Sequence, residues 1–168
     1  MMEEPIKNVS PQNLTFSSLM SRAPDDLVKH LETLKQVDQN RYWHPEGSVY
    51  IHTRCVVDRL ARFGDINLSL AGIFHDEGKM RTTVWDDIKQ TWRSPGHAQY
   101  SIEAIRAWSY WIYDEGASVN LVSDIVQWHM YIKDGKDLPR WKIESFKRSY
   151  IWPYIEKFMT CDIGGIII

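Results

Sequence analysis

Ala71-Gly72-Ile73-Phe74-His75-Asp76-Glu77-Gly78-Lys79 closes an apolar segment that begins near Asn67, and the reading of this stretch decides the fold. The run from Asn67 to Asp76 predicts a helix that Gly78 stops. An imidazole and a carboxylate stand side by side where this apolar helix ends, and burying either group costs free energy unless something compensates. The dipeptide alone carries little weight, because six His and thirteen Asp in 168 residues give about half a His-Asp pair by chance. Its meaning depends on what the flanking segments bring to it.

Upstream, Val49, Val56, Leu60 and Phe63 repeat at helical spacing, and Gly64 closes that segment. Before it, Pro24-Asp25-Asp26 opens a helix with Leu27, Val28, Leu31, Leu34 and Val37 on one stripe, the acidic pair suiting the positive helix N-terminus. Residues 38 to 47 form a loop ending in His44-Pro45-Glu46-Gly47. Downstream, helices are predicted over about 97 to 113 (Ile102, Ile105, Trp108, Ile112), 119 to 131 (Val122, Ile125, Val126) and 142 to 161 (Ile151, Ile155, Phe158, Met159). Pro153 kinks or splits the last of these. Residues 82 to 93 read equally as a short hairpin or an irregular excursion. Residues 1 to 24, with Pro5, Pro11 and Pro24 and no sustained period, read as an N-terminal arm over the surface, leaving 25 to 168 as a single, mostly helical domain.

Twenty Lys and Arg against 22 Asp and Glu give a net charge of 20 − 22 = −2, so no basic field favours a long duplex nucleic acid or an anionic membrane. Hydrophobic residues at 43% and eight Trp supply a core, which excludes a disordered chain. The longest apolar runs are a few residues, far below the roughly 20 that span a bilayer, and the first 30 residues lack a signal-peptide pattern. Two cysteines, Cys55 and Cys161, sit in helical patterns and make no disulfide framework, so the expected compartment is the cytoplasm.

The informative residues are polar ones on apolar stripes. His52 lies between Val49 and Val56 on the inner face of its helix, and His129 follows Val122, Ile125 and Val126 in the same way. Asp162 follows Ile155, Phe158 and Met159 at the end of the last helix, and His97 follows Pro95-Gly96 at the start of another. Singly, each has a structural explanation: a core histidine held by a hydrogen bond, a capping or Arg-paired aspartate. Together they place four imidazoles and two carboxylates at element ends or on inward faces of different helices. That donor mixture suits Mn, Fe, Co, Ni or Zn, and six groups suffice for one or two ions.

His52, His75-Asp76 and Asp162 follow in the order and spacing of the HD-domain metal-dependent phosphohydrolases, and the sequence resembles that superfamily. His44-Pro45-Glu46-Gly47 with Tyr50-Ile51-His52-Thr53, the Ala71 to Lys79 stretch, Pro95-Gly96-His97 and Gln127-Trp128-His129 together look like one branch of it. That branch is represented by the HD domain of bacterial tRNA nucleotidyltransferases and by HD modules of polynucleotide-kinase-linked RNA end-healing enzymes. The resemblance covers about residues 42 to 165. Glu77 departs from it, standing where the branch usually has an apolar residue, and the end of the chain six residues past Asp162 suggests a minimal or truncated domain.

The resemblance implies a compact all-α bundle of about five core helices around a metal centre. In it, His52, His75, Asp76 and Asp162 hold one divalent transition-metal ion (Mn, Ni, Co, Fe or Zn, with Mg as a further option), and His97 and His129 with a bridging Asp76 hold a second. It implies hydrolysis of a nucleotide or RNA-terminus phosphoester, a 2′,3′-cyclic phosphodiester or a phosphomonoester, by metal-activated hydroxide, since a bound ion lowers the pKa of water from 15.7 toward about 7. Asp76 and Lys79 are the catalytic candidates, with Lys79 favoured over Arg81 as the cation on the phosphate. His44 and Glu46 are expected either to line the mouth or to shape its turn, and Trp43, Trp85 and Trp92 are candidates to stack a base. Two other classes stay open: an HD-type mixed-valent di-iron oxygenase, and a non-catalytic nucleotide-sensing module. No oligomeric state is assigned.

Overall fold

Nine consecutive residues from Ile66 to Phe74 are buried, so this largely apolar helix has no solvent-facing side, and its two polar residues, Asn67 and Ser69, are buried with the rest. In the computed structural model, which describes residues 10–135 and 137–164, it is the central element of an all-α fold. Helix α1 (Phe16–Met20) follows a 3-10 turn at Pro11–Leu14, and α2 (Asp25–Glu32) tightens into a second at Thr33–Gln36. Then come α3 (Val49–Leu60), α4 (Ile66–Phe74), α5 (Lys79–Thr82), the strands β1 (Val84–Asp86) and β2 (Thr91–Arg93), and α6 (His97–Ala107). The chain continues through α7 (Ser109–Asp114), α8 (Val119–Trp128), α9 (Tyr131–Asp134), α10 (Arg140–Phe146) and α11 (Trp152–Cys161). Helices α3, α6, α8 and α11 all pack against α4.

Local chemistry starts and stops these helices. Ser48, Asp65 and Ser118 cap α3, α4 and α8 by accepting backbone N–H groups of Ile51, Asn67 and Leu121. Gly64, at φ 63°, takes the left-handed turn that ends the segment after α3. The Asp65 carboxylate also receives the Asn67 amide, whose oxygen accepts the Ser118 N–H at 2.8 Å and ties α4 to the start of α8.

Residues 82 to 93 resolve as a hairpin: β1 and β2 pair antiparallel with Trp85 opposite Trp92, their rings 5.3 Å apart. Asp86 Oδ1 accepts the N–H groups of Ile88 and Lys89 and shapes the turn. The helix predicted over 97 to 113 is broken at Trp108, and the change of direction puts Trp111 and Ile112 into the core, Trp111 edge-on to Phe74. The helix predicted over 142 to 161 is two helices. Pro153 occupies the first turn of α11, where its missing N–H costs nothing.

The segment read as a surface arm differs most. Its first nine residues lie outside the described residues, but Leu14, Phe16 and Leu19 are buried. The Phe16 N–H donates to Asp58 Oδ1 at 2.8 Å and its ring meets Tyr50 edge-on. Three apolar residues in a six-residue span are too few to show a period, so only the packing reveals them as core. Leu14→Ala is therefore expected to lower stability by about 2 kcal/mol or more in urea unfolding; an unchanged midpoint would show that this segment is dispensable. Among the described residues no helix is long and apolar enough to cross a membrane, and Cys55 and Cys161 are free thiols.

Candidate metal centre

Five helices deliver six side chains to one point. His52 comes from the middle of α3, His75 and Asp76 follow α4, His97 is the first residue of α6, and His129 and Asp162 cap the C-terminal ends of α8 and α11. All six are buried. His52 Nε2 lies 3.0 Å from Asp162 Oδ1 and 3.7 Å from Asp76 Oδ2, and His75 Nε2 lies 3.2 Å from Asp76 Oδ2 and 3.7 Å from Asp162 Oδ1. The other oxygen of Asp76, Oδ1, faces His97 Nε2 at 3.2 Å, and His97 Nε2 lies 3.3 Å from His129 Nε2. One carboxylate thus has an oxygen toward each of two histidine groups.

The outward nitrogen of every one of these imidazoles is engaged. His75, His97 and His129 direct Nδ1 to the carbonyls of Gly72, Ser94 and Val126, and His52 directs it to Glu46 Oε1 at 2.6 Å. This pattern selects the tautomer that leaves a lone pair on Nε2, the arrangement that orients metal-binding histidines. His75 Nε2 is buried without a hydrogen bond, and the facing Nε2 atoms of His97 and His129 repel unless a proton or cation lies among them. Burial, aided by the nearby His75, pushes His129 down to about 3, so it is a neutral donor at pH 7. These features fit a divalent transition metal, and the triplets His52, His75, Asp76 and Asp76, His97, His129 each bring their donor atoms within 4.8 Å of one another.

Burial opposes ionisation of Asp76 and Asp162, yet both carboxyls are held well below the usual range. For Asp76 the opposing influences are His75 and Lys79; for Asp162 they are the His52 hydrogen bond, His75 and Lys133. Burial also disfavours the charged form of His52, but hydrogen bonds with Asp162 and Glu46 raise it overall. A metal bound there would have to displace that proton.

Lys79 is buried with Nζ 2.7 Å from Asp76 Oδ2 and 2.8 Å from Gln39 Oε1, beside the candidate ligands. Arg81 is not: it is half-exposed and pairs with Glu103. Glu46 does not line a mouth either, because its side chain is fully buried and its Oε1 serves His52 and His44. His44 is partly exposed and is pushed down to about 4 by burial and by Lys79. Glu77 turns away to His30 on α2, at 2.8 Å. The sequence reading missed Lys133, whose Nζ lies 2.5 Å from Asp162 Oδ2. It also missed Gln39. Both stand in polar surroundings without an apolar stripe, so no sequence signal separates them from surface residues.

The model of the HD domain family matches residues 49–157, and the chain belongs to that family. HD domains are typically metal-dependent phosphohydrolases that bind divalent metals. The match contains His52, His75, Asp76, His97 and His129; Asp162 lies beyond it. No curated protein and no solved structure matches the chain.

Proposed function

We propose that this protein hydrolyses a phosphoester of a nucleotide or an RNA end, either a 2′,3′-cyclic phosphodiester or a phosphomonoester. The observation that carries the reading is the two-sided Asp76 carboxylate between two histidine groups, with lysines at both carboxylates. In this reading His52, His75, Asp76 and Asp162 hold one ion, and Asp76, His97 and His129 hold a second. Bound there, divalent ions supply Lewis acidity, which acidifies water and takes up charge on phosphoryl oxygens.

The residues of the chain do the rest. Lys79 commits two of its three donors to Asp76 and Gln39, leaving the third for a phosphoryl oxygen. Lys133, whose side chain is about one-third exposed, meets the substrate from the Asp162 side. Hydrolysis joins the water oxygen to phosphorus and breaks the ester P–O bond, and the leaving oxygen keeps a proton of the water. With so few cations at the site and a net charge of −2, a mononucleotide or short terminus fits better than a long duplex.

The test is hydrolysis of 2′,3′-cyclic nucleotides and nucleoside monophosphates after chelation and re-addition of Mn, Co, Ni, Fe, Zn or Mg. Metal-restored turnover is the expected result. Absence of turnover with every ion, in protein that loads metal, would overturn the reading and direct attention to iron content and oxygen consumption. Lys133→Ala should leave metal content intact, because it removes a competitor for Asp162, and raise KM about tenfold for loss of a charge-assisted contact. Loss of metal in that variant would refute the role given to Lys133.

A further inference from the structure

A cleft of about 430 Å³ opens between the loop at 38 to 47 and the β1–β2 hairpin, a size within the roughly 300–1,000 Å³ of small-molecule sites. Neither element belongs to the helical core. Trp85 and Trp92 line it as a cross-strand pair, Tyr42 lines it from the loop, and Arg41 and Lys89 add two cations. Tyr42 is 81% exposed and Trp85 is 45% exposed, a large investment of aromatic surface in contact with water.

The wall has a second property that connects it to the centre. Gln39, which also lines the cleft, is 3% exposed, and its Oε1 accepts the Lys79 ammonium that contacts Asp76. The cleft and the candidate phosphate cation thus share one buried wall residue, Gln39.

We infer that this cleft is the subsite for the nucleobase of the substrate, with Trp85, Trp92 and Tyr42 offering ring faces and the phosphate directed to Lys79. Aromatic rings beside two cations suit a planar, anionic ligand. Stacking is tolerant of base identity, so the cleft selects for a base over none more than for one base over another. A long single strand is disfavoured, since Arg41 and Lys89 are the two cations lining the cleft. The inference rests on the phosphohydrolase reading for what the cleft delivers, but it is tested by binding alone.

The experiment is calorimetric titration of the chelated full chain with adenosine 3′-phosphate, uridine 3′-phosphate and base-free glycerol 2-phosphate. Both nucleotides should bind at least about tenfold more tightly than glycerol phosphate. Trp85→Ala and Tyr42→Ala should each weaken nucleotide binding by about five- to a hundredfold, without changing glycerol phosphate binding. Tyr42 is too exposed for its loss to unfold the chain, and this keeps the test decisive if Trp85→Ala disturbs the hairpin. Equal binding of nucleotides and glycerol phosphate, or nucleotide binding insensitive to both variants, would overturn the inference. Variant-sensitive nucleotide binding without hydrolysis by the metal-loaded protein would uphold the cleft and defeat the phosphohydrolase reading; hydrolysis with insensitive binding would do the reverse.

Discussion

Asp76→Asn should empty both halves of the metal centre. Asp76 Oδ2 faces His52, His75 and Lys79 while Oδ1 faces His97, so an amide in its place leaves one side with an NH2 donor where an electron pair is needed. It also removes the negative charge that both groups share. Loss of an outer-shell partner already weakens metal binding roughly 10- to 100-fold, and loss of a shared ligand should exceed about a hundredfold. Metal analysis after dialysis, on protein loaded with Mn or Co, should find wild type charged and the variant nearly bare, with turnover lost in parallel. His97→Ala is the control: it should remove metal from one group and spare the other. Wild-type stoichiometry in Asp76→Asn would exclude Asp76 as a ligand and sink the two-group arrangement.

Gly78→Ala should be strongly damaging. A Cβ at this position would lie 2.0 Å from the His97 carbonyl oxygen and 2.8 Å from the Ser101 nitrogen. Both are backbone atoms of α6, so no rotamer change relieves the clash. The same turn is fastened to α6 by the Gly78 N–H donating to Ser101 Oγ at 2.9 Å and by that hydroxyl donating to the His75 carbonyl at 3.0 Å. Helix α6 must shift or detach, carrying His97 away from Asp76. The expected cost is about 3 kcal/mol or more, above the usual range for overpacking, and about 6–12 °C in Tm. Metal should be lost first from the His97 and His129 side. A melting temperature within a degree or so of wild type would show that the approach of α6 is not a tight constraint.

The two substitutions act on neighbouring residues of the stretch with which the sequence reading begins, and each exposes a different limit of that reading. Gly78 reads as a helix stop, but its backbone is right-handed helical (φ −61°, ψ −14°) and α4 has already ended at Phe74. What requires glycine is a helix that starts 19 residues later in the chain. Asp76 reads as one candidate ligand among six; its role between two groups needs both of its oxygens located.

Helical character and the inward placement of His52 and His129 were legible in the sequence, because a buried helix face repeats every three to four residues and a polar group on that face stands out against it, whereas His75, Asp76 and His97 were legible only as polar residues at the ends of predicted elements. Periodicity is local, and it carries no information on which helix ends meet. Tertiary structure alone decided that Lys133 approaches Asp162, that Glu46 holds His52 from behind, that Arg81 turns to Glu103, and that Leu14, Phe16 and Leu19 belong to the core. It alone placed Gln39 and Tyr42 across a cleft from Trp85 and Trp92. The physical reason is common to all of these: each contact joins residues distant in sequence through side chains that follow no pattern of their own, so it exists only once the helices have packed.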